Sequence, residues 1–179
     1  TAMNTALEMI DKLRDTSQSH DRCSVVEVMG RRAGWIALNV AIASGAIACV
    51  TPEMPYDINA IADKIIKAHE SQKEHFIVVV AEGVEASDEI TKKINELTGI
   101  ETRLTVLGHV QRGGMPTLRD RVAASQMGYH AVELIDRGVT NRVVGMKDNK
   151  IIDVDIQEAL SMKKPFDEEL YRVCNEITF

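Results

Sequence analysis

The chain has 179 residues, of which 45% are hydrophobic and 27% charged, and its net charge is −6. This composition is typical of a globular protein, and because aromatic residues make up only 4%, the core must be aliphatic. The acidic balance argues against broad nucleic-acid binding but leaves local clusters of arginine and lysine available for a small anion. No apolar run reaches the ~20 residues that a membrane helix needs. We therefore expect neither nucleic acid nor a membrane as a partner.

The three cysteines, Cys23, Cys49 and Cys174, are far apart and form neither a zinc-binding spacing nor a disulfide framework. Cys49 lies within an apolar run and is predicted to be a buried thiol. These features favour a reducing, cytoplasmic setting. No signal peptide is visible, and a start at Thr1 without Met indicates a fragment or the removal of upstream residues.

Apolar runs of strand length alternate along the chain with stretches of helical periodicity. Strands are predicted at 24–29, 47–51, 76–81, 104–107, 142–146 and 150–154, the last two as a hairpin. Helices are predicted at 2–15, 33–44, 117–136, 156–160 and 168–173, and after the expected N-caps Asp57 and Ser87. The strand at 104–107 is expected to be buried. Short connections and nearly all-apolar strands predict an α/β fold, with a parallel Rossmann-like sheet and helices on both faces.

Polar residues follow the predicted strand at 104–107, in the stretch TRLTVLGHVQRGG. His109, Gln111 and Arg112 come directly before the pair Gly113 and Gly114. In open α/β sheets, ligands bind at the carboxyl ends of strands, and arginine presents a fork of donors suited to phosphate or carboxylate. A plain loop with solvated arginines is the alternative interpretation, since a motif is a hypothesis until its context agrees.

Similar polar residues flank other predicted strands, and we expect them to converge on one edge of the sheet. Arginines there would bind phosphate oxygens and the carboxylate would bind hydroxyls, which is the pattern expected for a sugar phosphate. Neither G-x-x-x-x-G-K-[ST] nor G-x-G-x-x-G is present, so the sequence offers no nucleotide fingerprint. The residues are Arg22, Arg31, Glu82, Arg103, His109 and Arg112.

Three blocks of sequence resemble the bacterial-type 6-phosphofructokinases. They are VEVMGRRAG at 26–34, VAEG at 80–83, and TRLTVLGHVQRGG at 102–114 followed by Asp120 and Arg121. The similarity extends in order and spacing over all 179 residues. It is to the carboxyl-terminal, fructose 6-phosphate-binding part of that family, whose amino-terminal half carries the glycine-rich nucleotide loops and a catalytic aspartate.

The resemblance implies phosphorylation of fructose 6-phosphate at its 1-hydroxyl to give fructose 1,6-bisphosphate in glycolysis, with ATP as donor. Mg²⁺ and ATP would be bound mainly by the missing amino-terminal part, so no metal ligand is assigned here and the fragment is expected to be inactive alone. Three alternatives stay open: a pyrophosphate-dependent phosphofructokinase, a non-catalytic phosphosugar-binding module, and a generic Rossmann-like domain with solvated arginines.

The resemblance also assigns roles to individual residues. Arg22 and Arg103 match arginines that reach the 6-phosphate across a subunit interface. Arg31 matches the arginine that faces the transferring phosphoryl group and is assigned the catalytic role, and Glu82 matches the carboxylate that binds sugar hydroxyls. The implied substrate-binding residues are Arg22, Met29, Gly30, Arg31, Glu82, Arg103, His109, Val110, Gln111 and Arg112.

The family's effector site is matched less well. Ile47 stands where relatives often have an acidic, metal-contacting residue, and Ser71 and Glu74 stand where lysines are common. Because losing basic groups weakens an anion site, we expect weak or absent control by nucleotide diphosphate or phosphoenolpyruvate. The matched effector positions are Arg14, Gly45, Lys73 and His75.

The resemblance further implies a division of the chain and a set of partners. Residues 1–110 would form the sugar-phosphate domain, 111–161 would pack with the missing nucleotide-binding domain, and 162–179 would return to the first domain. The expected partners are the protein's own amino-terminal domain and further copies of the chain in a homotetramer with sites shared between subunits.

Overall fold

The computed structural model describes residues 1–17, 21–73 and 75–177. The chain divides into two compact units, Thr1–Gly114 together with Phe166–Phe179, and Met115–Pro165. None of the described helices combines the length and apolar character needed to cross a membrane. Packing of the middle segment with a nucleotide-binding domain stays a prediction.

Helices and strands alternate along both units. Short 3₁₀ helices, Glu82–Val84 and Gly108–Arg112, follow the third and fourth strands. In chain order the elements are α1 (Ala2–Ser17), β1 (Arg22–Val28), α2 (Trp35–Ser44), β2 (Ala48–Val50), α3 (Ile58–Glu70), β3 (His75–Ala81), α4 (Ser87–Thr98), β4 (Glu101–Val106), α5 (Leu118–Asp136), β5 (Arg142–Lys147), β6 (Lys150–Asp155), α6 (Ile156–Ser161) and α7 (Glu168–Glu176).

The first unit is built on a four-stranded parallel sheet in the order β2–β3–β1–β4. Val28 at the end of β1 is paired with Ala81 at the end of β3, and Glu27 is paired with Val106 of β4. Three neighbouring strands therefore end together, and the residues that follow them lie at one edge of the sheet.

Two apolar layers cover the two faces of this sheet, so the predicted α/β fold class is confirmed. One layer packs under α1, α2 and α7, and the other under α3 and α4. Adjacent strand residues point to opposite faces, as Val79 and Val80 of β3 do, and both are fully buried. Burial on both faces explains why β3 is an unbroken apolar run, and Cys49 is buried as predicted.

The predicted start of α3 and the predicted end of α2 are confirmed, whereas α2 begins two residues later than predicted, at Trp35, and α7 continues to Glu176. The Asp57 carboxylate accepts from the Asn59 N–H at 2.9 Å at the start of α3, and Gly45 ends α2 in the left-handed region. The prediction that Ser87 caps α4 was wrong. Ser87 is the first helical residue, and its hydroxyl donates to Glu27 Oε2 at 2.5 Å, a charge-assisted bond that takes it away from the helix end.

Two further expectations differ from the structure. The strand expected at 104–107 is β4, which lies at the outer edge of the sheet and consists only of exposed and half-buried residues, so it is not a buried strand. The helix predicted at 2–15 continues to Ser17 as α1. Residues 18–20 and Glu74 lie outside the described part of the chain.

The second unit consists of α5, the antiparallel hairpin of β5 and β6, and α6, which confirms the predicted hairpin. Thr117 and Asp120 form a reciprocal capping box at the start of α5. Asp153 of β6 accepts from His130 of α5 at 2.9 Å and from Arg142 of β5 at 2.7 Å. Several large apolar side chains of α5 are exposed: Leu118, Val122, Tyr129 and Val132.

Candidate functional site

The candidate site lies at the carboxyl edge of the parallel sheet, where three neighbouring strands end. Met29, Gly30 and Arg31 follow the central strand β1, and Glu82 follows β3 on one side of it. The 3₁₀ helix Gly108–Arg112 follows β4 on the other side. Parallel register therefore brings together residues as far apart in the chain as Met29 and Gln111, which are separated by 82 positions.

Glu82 holds the turn that carries Arg31. Its Oε1 accepts from the backbone N–H of Gly30 at 3.0 Å and from the backbone N–H of Arg31. Arg31 has a φ of 53°, which is uncommon for a residue with a side chain. The two hydrogen bonds to one carboxylate oxygen stabilise this left-handed conformation, so Glu82 fixes the backbone from which the Arg31 side chain starts.

Two glycines allow the backbone segments of this site to pack directly against each other. A Cβ at Gly83 would lie 2.3 Å from the Arg31 carbonyl oxygen, and a Cβ at Gly30 would lie 2.4 Å from the Ala33 carbonyl oxygen. No side chain can be added at either place without moving the main chain. The turn after β1 and the segment after β3 therefore pack in direct backbone contact.

The carboxylate of Glu82 lies in a positive environment. The N–H groups of Gly30 and Arg31 lower its pKa most, and the charges of Arg112 and Arg31 lower it further. Glu82 is thus ionised at neutral pH and has Oε2 available to accept hydroxyl groups. Arg112 lies close enough to share this environment, as the sequence predicted.

A cleft of about 640 Å³ opens beside this carboxylate. Besides Arg31, Glu82 and Gly83, its walls include Arg32 and Glu85, which sequence reasoning did not select. Arg32 could have been found, because it is the next residue of the same turn. Glu85 could not, because its place depends on the short 3₁₀ helix at Glu82–Val84.

Gln111, predicted to bind substrate, has its side chain inside the protein. It is fully buried, its Oε1 accepts from the Met29 N–H at 2.8 Å, and its Nε2 donates to the Ala2 carbonyl at 3.5 Å. The side chain therefore stabilises the loop after β1 from the interior of the protein, by its hydrogen bond to the Met29 backbone. By contrast, His109 and Val110 of the same turn are exposed.

Arg22 and Arg103 do not lie at this edge, so the expectation that all the arginines converge there was wrong. Arg22 is the first residue of β1, and Arg103 lies opposite Ser24 near the start of β4. Both sit at the amino edge of the sheet, and both pair with Glu101. Both arginines precede the predicted strands at 24–29 and 104–107, and residues that precede a strand of a parallel sheet lie at its amino edge, so the expectation applied the carboxyl-edge rule to residues that it does not cover.

The four predicted effector residues do come together at the amino edge. They line a pocket of about 300 Å³, and Ile47 forms part of its wall. The Arg14 guanidinium donates to the Ser44 carbonyl at the end of α2. The Nδ1 atom of His75 is buried without a hydrogen-bond partner among the described residues. The predicted set is Arg14, Gly45, Lys73 and His75.

Within the described ranges, no group of three or more His, Cys, Asp or Glu side chains is arranged to hold a metal ion. The expectation that Mg²⁺ and ATP are bound outside this chain stays a prediction. The residues at the carboxyl edge are suited instead to direct contact with an anionic, hydroxyl-bearing ligand.

Comparison with known proteins gives a consistent result. Residues 1–135 match the Phosphofructokinase family. The chain is 52% identical over 177 residues to ATP-dependent 6-phosphofructokinase 1 of Clostridium perfringens (strain 13 / Type A), covering 99% of this chain and 56% of the relative. It is 49% identical over 179 residues to ATP-dependent 6-phosphofructokinase of Clostridium tetani, covering 100% of this chain and 56% of the relative.

A solved structure agrees with the sequence comparisons. Phosphofructokinase from Saccharomyces cerevisiae superposes with a TM-score of 0.80 at 31% identity, covering 98% of this chain and 24% of the yeast chain. The chain thus spans about half the length of the bacterial relatives and a smaller part of the yeast protein.

Proposed function

Because this chain belongs to the phosphofructokinase family, we propose that it supplies the fructose 6-phosphate site of an ATP-dependent 6-phosphofructokinase. The observation that carries the proposal is the Glu82 carboxylate, held between two backbone N–H groups and beside Arg31 and Arg112. A carboxylate among guanidinium groups matches a ligand that carries both hydroxyls and phosphate. The 52% identity to an ATP-dependent relative supports ATP as the donor.

In this proposal the chain positions the sugar and stabilises charge. Glu82 accepts hydrogen bonds from sugar hydroxyls, and Arg31 donates to the oxygens of the phosphoryl group as it moves to the 1-hydroxyl. Arginines in that role accelerate phosphoryl transfer by about 10³–10⁵. The proton of the 1-hydroxyl would pass to a base outside this chain, and the missing part would hold ATP with Mg²⁺, which would supply neutralisation of phosphate charge.

We place the chain in the carboxyl-terminal part of a longer enzyme. It spans 56% of the length of its bacterial relatives. The exposed apolar side chains of α5, among them Leu118 and Tyr129 at 80% and 70% exposure, support packing of the second unit against a further domain of the same protein. The fragment is therefore expected to be inactive alone.

The three free, buried cysteines are compatible with the proposed cytoplasmic setting.

The position of Arg22 and Arg103 supports a site shared between subunits. They lie at the amino edge of the sheet, whereas Arg31 and Glu82 lie at the carboxyl edge. One copy cannot bring both sets to one sugar phosphate, but a second copy can present its amino edge to the first. We propose a homo-oligomer, a tetramer by family resemblance, in which Arg22 and Arg103 bind the 6-phosphate of a neighbour's substrate.

Steady-state assays of the full-length protein test the function and the donor together. With fructose 6-phosphate, we expect turnover with ATP and none with pyrophosphate. Arg31→Ala should lower kcat strongly, whereas Arg103→Ala should chiefly raise the KM for the sugar phosphate. Turnover with pyrophosphate alone would overturn the donor, and no turnover with either donor would favour a binding module.

A further inference from the structure

Three charged residues form a compact group at the amino edge of the sheet. Arg22 begins β1 and Glu101 begins β4, and the two are directly paired in the parallel register. Arg103 follows Glu101 by two residues, so its side chain leaves the same face of β4. The Glu101 carboxylate therefore lies between two guanidinium groups, one on its own strand and one on the neighbouring strand.

The carboxylate uses both of its oxygens. Oε2 accepts from Arg22 Nε at 2.9 Å, and Oε1 accepts from Arg103 Nε at 2.7 Å and lies 2.6 Å from Arg103 Nη2. These contacts occupy the Nε side of each guanidinium group. Because arginine has five N–H donors in a fixed plane, each group keeps further donors on its terminal nitrogens, and those donors are held in a defined direction.

The charges of the group favour a dianionic ligand. Two guanidinium groups close together repel each other, and each sits on a long, flexible side chain. The single negative charge of Glu101 offsets that repulsion and leaves the group with a net charge of +1. Hydrogen bonds from Arg22 and then from Arg103 lower the pKa of Glu101, so the carboxylate stays ionised at neutral pH. The Arg103 side chain is 60% exposed and can reach a ligand.

We infer that Glu101 is a positioning residue for phosphate binding, whose carboxylate holds Arg22 and Arg103 side by side so that their remaining N–H donors bind one phosphate group. This inference rests on the proposed function, in which these two arginines bind the 6-phosphate. Glu101 does not touch the sugar itself. It lowers the cost of ordering two arginine side chains when the phosphate binds.

The test is the variant Glu101→Gln in the full-length protein, with KM for fructose 6-phosphate and kcat measured separately. The amide cannot bridge two guanidinium groups as an anion, so we expect KM to rise by about 3- to 10-fold while kcat stays within about 2-fold. Glu89→Gln is the matched control. Glu89 is another exposed carboxylate in a 2.6 Å ion pair, with Lys93 on α4, and its loss should leave KM unchanged.

The outcomes separate the inference from the proposed function. If Arg103→Ala raises KM and Glu101→Gln leaves it unchanged or lowers it, the positioning role is wrong, and a lower KM would identify Glu101 as a competitor of the phosphate. If neither Arg22→Ala nor Arg103→Ala changes KM, the proposed phosphate site itself is wrong. Should Glu101→Gln fail to fold, Glu101→Ala also removes the carboxylate, and a KM equal to that of the wild type would contradict the inference.

Discussion

Glu82 combines two tasks that are usually assigned to different residues. Its Oε1 holds the backbone of the turn that carries Arg31, and its Oε2 remains available for a ligand. A residue expected only to bind sugar hydroxyls is thus also part of the local fold. Substitution of Glu82 should therefore affect conformation and binding together, and pH can separate the two effects.

The pKa of Glu82 is lowered on folding, chiefly by the N–H groups of Gly30 and Arg31. A lowered pKa stabilises the folded state above the pKa of the unfolded chain, and this stabilisation is lost as pH falls through the folded value. Urea unfolding should show Glu82→Gln less stable than wild type at pH 7, and the difference should begin to narrow below about pH 4.3, the pKa of an unperturbed glutamate, and close at lower pH. A gap that does not change between pH 7 and pH 3 would contradict this role for the charge.

Gly83 offers a test of the fitted turn without removing any charged group. Its added Cβ would lie 2.3 Å from the Arg31 carbonyl oxygen, so Gly83→Ala should displace the turn, lower kcat and destabilise the fold by about 1–3 kcal/mol. Gly128 in α5 is the matched control, because nothing lies within 4 Å of its added Cβ. Gly128→Ala should leave kcat unchanged and stabilise the helix by about 0.5–1 kcal/mol. Equal effects of the two variants would show that the close approach is unimportant.

At the level of helices and strands, local sequence predicts most of the structure. Apolar periodicity located the strands and helices, Asp57 marked the start of α3, and the predicted end of α2 at residue 44 was correct. The prediction for Ser87 was wrong because its hydroxyl hydrogen-bonds to the carboxylate of Glu27 on β1 instead of capping the helix. Such competition comes from tertiary structure and cannot be read from neighbouring residues.

The cap of α3 can be measured directly. Asp57→Ala removes the acceptor of the Asn59 N–H and should cost about 0.5–2 kcal/mol of unfolding free energy in a urea titration. Asp63→Ala removes an exposed carboxylate from the middle of the same helix and should cost nothing, because alanine is the better helix former. A loss of stability at Asp63 as large as that at Asp57 would argue against the capping role.

The residues of the candidate site that follow strands could be predicted from the sequence. The contacts that depend on which strands pair, and in which register, could not. Arg31 and Glu82 follow apolar strands, so their shared edge could be inferred from the parallel-sheet rule. Arg22 and Arg103 also adjoin strands, but they lie at the opposite edge, with Glu101 between them. The pairing of β1 with β4 is a property of the folded sheet, which is why Glu101 was missed.

For the whole molecule, regulation is expected to be weak although the four predicted effector residues line one pocket. Arg14 already donates to the Ser44 carbonyl, and Ile47 occupies part of the wall, so few free cationic donors remain for a phosphate. Titration of the full-length enzyme with ADP or phosphoenolpyruvate should shift the half-saturating fructose 6-phosphate concentration by less than the roughly 5-fold of typical allosteric coupling. A larger shift with either compound would contradict this prediction.

Calorimetric titration of the full-length protein can decide whether the carboxyl edge of the sheet binds a phosphorylated sugar. Fructose 6-phosphate should give saturable heat, which Arg112→Ala should weaken strongly, and fructose without its phosphate should give none at the same concentrations. Absence of heat with fructose 6-phosphate, or equal heat with fructose, would show that this edge is not a sugar-phosphate site.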